Sequence, residues 1–313
     1  MDPRHLELLR QLDERGSVTA VAQATFRTPS AVSQQLKAAT REFGRALVEP
    51  AGRGVRLTAA GRLTAAGRLL AAGGRQVASA IAEVQADWED YLGEATGEVR
   101  IAGLPSALTY LIPTALTTLR ATSPQIIVHT LDMDLAEHEF AGLLADVDLV
   151  IAHSLISARP VGTDGLMVEP LATEPIDVAV AKDHPLAGRT RLRPNDLVDA
   201  QWIGVPHGYP FDTILGSIEH VTETPLTITQ RIRDNRLVEA IVAAGDHIAL
   251  LPRFTTATEG LELIPLTGVA TTRWVVAVMR PDTAGRMAVT RVLEALRSAS
   301  AQASPEAGTP PSR

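Results

Sequence analysis

Residues 17–58 constrain this chain more than any other stretch: two short helix patterns meet at a tight turn, and two short extended runs around a glycine-rich turn follow them. The first helix opens with Ser17-Val18-Thr19-Ala20-Val21-Ala22. The second opens with Thr28-Pro29-Ser30-Ala31-Val32-Ser33-Gln34-Gln35-Leu36, and Gly54-Val55-Arg56-Leu57-Thr58 closes the unit. Such an arrangement offers one small, polar helix tip to a DNA groove.

The local chemistry supports each element. Leu6, Leu9 and Leu12 recur at helical spacing, which predicts a helix over 3–15 with one buried face. Gly16 ends it, and Ser17 caps the next helix by accepting a backbone N–H. Ala20, Val21 and Ala24 are small enough to let two helices approach closely. Thr28 is a good N-cap, and Pro29 follows where its missing N–H costs nothing. The third helix runs to about Glu42, with Val32, Leu36, Ala39 and Phe43 forming a buried stripe.

The opposite face carries Ser30, Ser33, Gln34, Lys37 and Arg41, short polar groups first and cations further along. Gln34 can pair bidentately with an adenine edge. Thr28, Ser30 and Ser33 can reach bases or phosphates, and Lys37 and Arg41 suit phosphates. A merely solvated face would look the same, so the next segment decides. Leu47-Val48-Glu49 and Val55-Arg56-Leu57 flank Pro50-Ala51-Gly52-Arg53-Gly54, which reads as a hairpin with Arg53 at its tip, suited to the minor groove or the backbone.

Charge agrees. The net charge is −7, yet residues 1–75 hold 12 Arg/Lys against 6 Asp/Glu, and residues 76–313 hold 17 against 30. A basic head on an acidic body fits a DNA-binding module joined to something else.

The run from Ser17 to Gly61 resembles the winged helix-turn-helix of LysR-type transcriptional regulators. The matching residues are Ala20-Val21-Ala22, Ala31-Val32-Ser33 with Leu36, Gly44 with Leu47, and Val55-Arg56-Leu57-Thr58-Ala59-Ala60-Gly61. Three positions depart from that pattern: Thr28 where the family usually has Gln, Ala39-Thr40 where it has Leu-Glu, and Pro50 where it often has Arg. The last removes a phosphate contact and leaves Arg53 and Arg56 to compensate.

Leu70, Gly74, Val77, Ile81, Val84, Trp88 and Tyr91 step by four and three, a heptad seam. The resemblance implies that this helix makes an antiparallel dimer contact, with Leu70, Val77, Ile81, Val84, Trp88 and Tyr91 as its residues. Just before it, Leu57-Thr58-Ala59-Ala60-Gly61-Arg62 repeats at once as Leu63-Thr64-Ala65-Ala66-Gly67-Arg68. Six extra helical residues would add about 9 Å and turn the head by roughly 240°. If the first copy stays in the wing, nothing downstream moves.

Gly93–Gly97 reads as a hinge, after which strand and helix patterns alternate: strands near 99–103, 126–131 and 149–152 with helices at 106–120 and 135–145. This β-α-β-α-β order predicts a parallel sheet. A second unit, 166–266, has strands at 176–181, 202–205, 226–231 and 248–252 and helices near 211–220 and 234–244; strand 273–279 and helix 284–300 close the chain. Crossings near 163–168 and 266–272 would make a clamshell. The body resembles the LysR effector domain, itself similar to periplasmic binding proteins, through Pro175-Ile176, His184-Pro185-Leu186, Leu237-Val238 and Ala244–Pro252.

The expected architecture is therefore α/β with an N-terminal all-α winged helix-turn-helix over 1–58. A long linker helix over 59–92 and a hinge at 93–97 follow. A two-lobed effector-binding domain spans 98–303 (lobe I 98–165 and 269–303, lobe II 166–268), and the tail 304–313 is disordered. Ligands in such folds sit where strand ends meet helix starts. Position nominates Ser106, Ala107, Met133, His153, His207, Tyr209 and Phe211 as the effector-binding set, for a small carboxylate or amino acid. The expected partners are double-stranded DNA, that effector, and further copies of the chain as a homodimer or homotetramer.

Other classes fit less well. No cysteine is present, so thiolate chemistry and disulfides are excluded. No run of about 18 apolar residues exists to span a membrane, and the start is no signal peptide, so a cytoplasmic location is expected. No cofactor or metal is expected: the histidines form no HExxH pattern, Ser106 lacks a nucleophile elbow, and Gly52-Arg53-Gly54 is no dinucleotide loop. Against an enzyme, the sequence favours a ligand-controlled DNA-binding regulator; an architectural DNA binder and a simple small-molecule-binding protein are the alternatives.

Overall fold

The structure, a computed structural model, describes residues 1–49, 63–92, 95–133 and 137–303. The expected wing tip with Arg53 and Arg56, the first copy of the repeat, residues 93 and 94 of the expected hinge and the tail from 304 lie outside the described residues.

The head is built from α1 (Pro3–Arg15), α2 (Val18–Ala24) and α3 (Pro29–Phe43). Each boundary has a chemical cause. Gly16 sits in the left-handed region at φ 70°, Ser17 Oγ accepts from Ala20 N–H, and Thr28 Oγ1 accepts from Ala31 N–H. Leu9, Leu12, Val21, Val32, Leu36 and Ala39 form the core that these helices share. Leu47 joins it, and Val48 pairs with Leu63 in an antiparallel bridge, where the base of the expected wing would lie.

The long helix α4 (Ala65–Leu92) begins at once: Thr64 Oγ1 accepts from Gly67 N–H at 3.1 Å, and Arg68 Nη1 donates to Leu63 O at 2.7 Å. The second copy of the repeat thus forms the junction, so the helix gains no length from the duplication. Two glycines explain the register. A Cβ on Gly67 would overlap the Leu47 carbonyl, and one on Gly74 would lie 2.5 Å from Leu6 O on α1. Sliding the chain by one copy would keep a glycine (Gly61) at the first contact but put Arg68 at the second.

This changes the reading of the heptad seam. Leu70 packs against the head core, and Gly74 is a close-approach point to α1 within the chain. Val77 is half-buried beside α1, whereas Ile81, Val84, Trp88 and Tyr91 remain exposed, with the Trp88 and Tyr91 rings stacked at 5.4 Å.

The body holds β1 (Gly97–Gly103), α5 (Pro105–Thr122), β2 (Ile126–Asp132), a 3-10 segment (Glu137–Ala145), β3 (Leu149–Ser154) and β4 (Met167–Ala181). These are followed by β5 (Gln201–Gly204), α6 (Pro210–Thr222), β6 (Thr227–Arg231), α7 (Asn235–Ala243), β7 (His247–Pro252), β8 (Leu261–Ile264), β9 (Thr272–Met279), α8 (Pro281–Ala284) and α9 (Met287–Ala303). In lobe I, β1 pairs in parallel with β2 and β3, and β9 lies antiparallel to β3. In lobe II, β5 pairs in parallel with β6 and β7. Strand β8 is one the sequence pattern did not reveal.

Separate cores confirm two lobes. One gathers Ile101, Leu111, Ile151, Val275 and Leu296; the other gathers Ile176, Trp202, Ile214, Ile248 and Leu266. The first crossing lies later than the one expected near 163–168. Strand β4 pairs with β9 over 167–175 and then with β7 and β8 over 176–181, so one continuous strand passes between lobes near Pro175. The head also touches lobe I: Arg15 on α1 donates to Asp146 Oδ1 at 2.7 Å and to the Ala145 carbonyl.

Candidate functional sites: a helix face and an interlobe cleft

The first candidate site is the outer face of α3. With Val32, Leu36 and Ala39 turned into the core, the 3.6-residue period leaves Ser30, Gln34, Lys37 and Arg41 exposed and Ser33 half-exposed. Thr28 is partly committed: its hydroxyl caps the helix and lies 2.9 Å from Ser30 Oγ. Arg27, just before the cap, donates to Gln35 Oε1 at 2.8 Å and so braces the turn against the helix. Short polar groups at an open helix start, with two cations further along, form a surface that can meet base edges and phosphates together.

The second is a cleft of about 380 Å3 between the lobes. Lobe I supplies Leu104, Pro105, Ser106, Thr109, Asp132 and His153; lobe II supplies Val205, Tyr209, Pro210, Phe211 and the 233–239 segment; Arg273 comes from β9. Three helix starts open on it. The first residues of α5 and α6 have no side-chain cap, while Asp234 caps α7 through Arg236 N–H. Uncapped N–H groups at a helix start attract anions.

At the back of the cleft, Arg273 is 1% exposed and Glu174 is 0% exposed. They are register partners on β9 and β4, joined by two charge-assisted hydrogen bonds to one carboxylate oxygen, 2.8 Å from Nε and 2.5 Å from Nη2. The other Glu174 oxygen accepts from Phe254 N–H at 2.8 Å. Arg273 Nη2 also donates to Ser106 Oγ at 2.9 Å, leaving the serine proton available to a ligand.

His153 is 5% exposed, and burial first, then the nearby Arg273 charge, pushes its pKa down to about 3. It is therefore neutral at physiological pH. Its Nδ1 has no hydrogen-bond partner among the described residues, and neither does the buried Tyr110 hydroxyl, whose pKa burial raises. Tyr209 sits at the mouth with the Arg233 guanidinium 5.0 Å from its ring centroid. The loop before it is tied down by Arg231, which donates to Val205 O at 2.6 Å and to Asp212 Oδ1 at 2.7 Å. Burial alone would raise the Asp212 pKa, but the hydrogen bonds from Arg231, His207 and Gly208 lower it.

Of the residues nominated by sequence, Ser106, His153, Tyr209 and Phe211 line this cleft. Ala107 is buried in the lobe I core, Met133 lies beyond the cleft wall with its N–H bonded to Gly103 O, and His207 is an exposed surface residue paired with Asp212. The sequence reading missed Arg273, Glu174 and the 233–239 segment. One signal was available: Arg273 shares its parity in the strand with Val275, Ala277 and Met279, which marks an inward-facing arginine.

Among the described residues no group of His, Asp and Glu is arranged to hold a metal ion, and no helix is long and apolar enough to cross a membrane.

Known proteins match both parts. A family model described as a bacterial regulatory helix-turn-helix protein, lysR family, matches residues 3–62, and one described as a LysR substrate binding domain matches 92–301. The chain is 26% identical over 308 residues to the DNA-binding transcriptional dual regulator OxyR of Escherichia coli, covering 95% of each chain. It is 26% identical over 264 residues to the transcriptional dual regulator GltC of Bacillus subtilis, covering 82% of each. Full-length OxyR C199D from Pseudomonas aeruginosa superposes with a TM-score of 0.61 at 18% identity, over 95% of this chain and 98% of that one. The LysR family regulator CbnR gives 0.52 at 18% identity, over 95% and 100%. At these identities the two structures speak for the fold.

Proposed function

Because the chain belongs to the LysR family of DNA-binding transcriptional regulators, we propose that it reads its operator with the outer face of α3 and answers to a small anion held between its lobes. The observation that carries the reading is the division of α3. Its aliphatic side is spent in the head core, while Ser33, Gln34, Lys37 and Arg41 on its polar side, opened by the Thr28 cap, make no side-chain hydrogen bond or ion pair with the described residues.

In this reading Gln34 takes an adenine edge, Ser30 and Ser33 touch bases or phosphates, and Lys37 and Arg41 hold the backbone. Arg53 and Arg56, outside the described residues, serve the backbone or minor groove. The exposed stretch Ile81, Val84, Trp88 and Tyr91 pairs two copies through α4, which places two heads on one duplex.

The effector reading rests on the two uncapped helix starts and on Arg233, Arg236 and Arg273 around one cleft. A small carboxylate, or an amino acid through its carboxylate, matches them. Ser106 Oγ and the open Nδ1 of His153 are the neutral groups that would orient it. With no cysteine in the 313 residues, the signal is a bound molecule rather than an oxidised thiol. Closure of the lobes can move the heads only if the open and closed forms bind the effector differently.

The test is a Gln34→Ala variant assayed on duplexes enriched by the wild-type protein from a random pool. Affinity should fall on the enriched duplex by about 1–3 kcal/mol and stay unchanged on random DNA. Equal loss on both removes Gln34 from base reading. A thermal-shift screen of the full chain with small carboxylates and amino acids tests the cleft, with Ser106→Ala expected to abolish any shift found.

A further inference from the structure

The turn between α2 and α3 holds a residue that the fold does not explain. Phe26 has φ 53°, and only one other non-glycine among the described residues, Glu223, has a positive φ. The hydrogen bonds define the motif. Arg27 N–H reaches Ala22 O at 2.9 Å and Phe26 N–H reaches Gln23 O at 3.3 Å, which makes Phe26 the left-handed residue that closes α2. Glycine is the usual occupant of that position and asparagine the next, because a side chain there crowds its own backbone. A bulky aromatic is an outlier.

The ring gains nothing from the fold in return, because Phe26 is 98% exposed, the most exposed large apolar residue among those described. Its position is the informative part. It stands two residues before the Thr28 cap and four before Ser30, on the turn that delivers the start of α3. Arg27, beside it, is braced by Gln35 on α3. Of the exposed charges nearest in sequence and along α3, Arg27, Lys37 and Arg41 are cationic, which suits a polyanion, and the one acid, Glu42 at the far end of the helix, is taken up by His5 and the amino terminus. The edge of a major groove offers one apolar group to such a ring, the thymine C5 methyl.

We infer that Phe26 is a specificity-determining residue: its ring packs on a thymine methyl at the edge of the site read by α3. This rests on the proposal that α3 enters the groove, and adds to it a preference for thymine that no hydrogen-bonding residue of the helix would supply.

The experiment uses the full chain and the duplex it enriches most from a random pool. Each thymine of one half-site is replaced singly by deoxyuridine, which removes only the methyl. Wild type should lose affinity about four-fold at one position, the factor for one buried methyl-sized group. Phe26→Asn, which suits the left-handed turn, should bind the thymine duplex about four-fold more weakly and be indifferent to that replacement. Its melting temperature should equal or exceed that of wild type by up to roughly 4 °C.

Additive effects of the variant and the deoxyuridine overturn the inference while leaving the DNA-reading proposal intact. So does a fall in melting temperature, which would give the ring a structural role. Unchanged DNA binding with lost transcriptional response assigns the ring to a protein partner instead, and overturns it too. Failure of wild type to enrich any duplex removes the DNA-reading proposal and this inference together.

Discussion

Glu174 and Arg273 face each other across the two strands that join the lobes, with Arg273 Nη2 2.5 Å from Glu174 Oε2 and both side chains shut off from solvent. The pair lies beside the point where β4 crosses between the lobes and at the back of the cleft at once. Ser106 at the start of α5 is bonded to the same Arg273, so one ion pair links the crossing between the lobes to the wall of the cleft.

Breaking the pair on one side should be costly. Glu174→Gln leaves the guanidinium buried without its counter-charge, and a loss of about 3–5 kcal/mol is expected, read from urea denaturation midpoints. Replacing both residues with apolar ones of similar size should recover much of that loss. A single-variant loss below about 1 kcal/mol would show that water reaches the arginine.

His153 sets an acid limit. Its folded-state pKa is depressed to about 3 from the ordinary 6.5, so the unfolded chain binds the proton more readily. The contribution is complete above pH 6.5 and falls as pH drops from there towards 3, by at most about 1.4 kcal/mol per pH unit. Melting temperatures between pH 7 and 4.5 should fall more steeply for wild type than for His153→Gln. Parallel curves would refute the assignment.

Removing one copy of the six-residue repeat gives the same sequence whichever copy is deleted. Since Leu63 and Thr64 already make the bridge to Val48 and the helix cap, the shortened protein should rebuild that junction from the remaining copy. Footprints should show unchanged half-site spacing, with any change confined to contacts of the wing. A shifted spacing would mean that the first copy adds to the helix.

Trp88 and Tyr91 stack on each other and remain exposed among the described residues. Trp88→Arg should therefore weaken self-association by at least ten-fold in sedimentation experiments while leaving the melting of the body unchanged. An unaltered association constant would move the interface away from this end of α4.

Much of the fold was legible because its causes are local. The stripe of Leu6, Leu9 and Leu12, the stop at Gly16 and the caps at Ser17 and Thr28 each act within one helical turn, and each operates as expected. What escaped depended on distant partners. A heptad count cannot tell whether Leu70 meets a second chain or its own head, and it meets the head. The Glu174–Arg273 pair joins residues 99 positions apart, so spacing offers no hint of it beyond the inward parity of Arg273. The length of β4 was hidden by Pro170 and Pro175, a residue type that strands disfavour, yet both sit in a continuous strand, the first beside a register shift.

The bond from Arg15 to Asp146 fastens the head to the 3-10 segment of lobe I, and α4 packs on α8 of the same lobe. The head contacts described above run to lobe I, so in the proposed closure lobe II is expected to be the part that swings. Because one of the two links between the lobes is the unbroken strand β4, that swing is expected to be a torsion of this strand rather than the flexing of a slack loop. A chain built this way would pass on its message through whatever neighbour leans on lobe II, rather than by tilting its own reading helix.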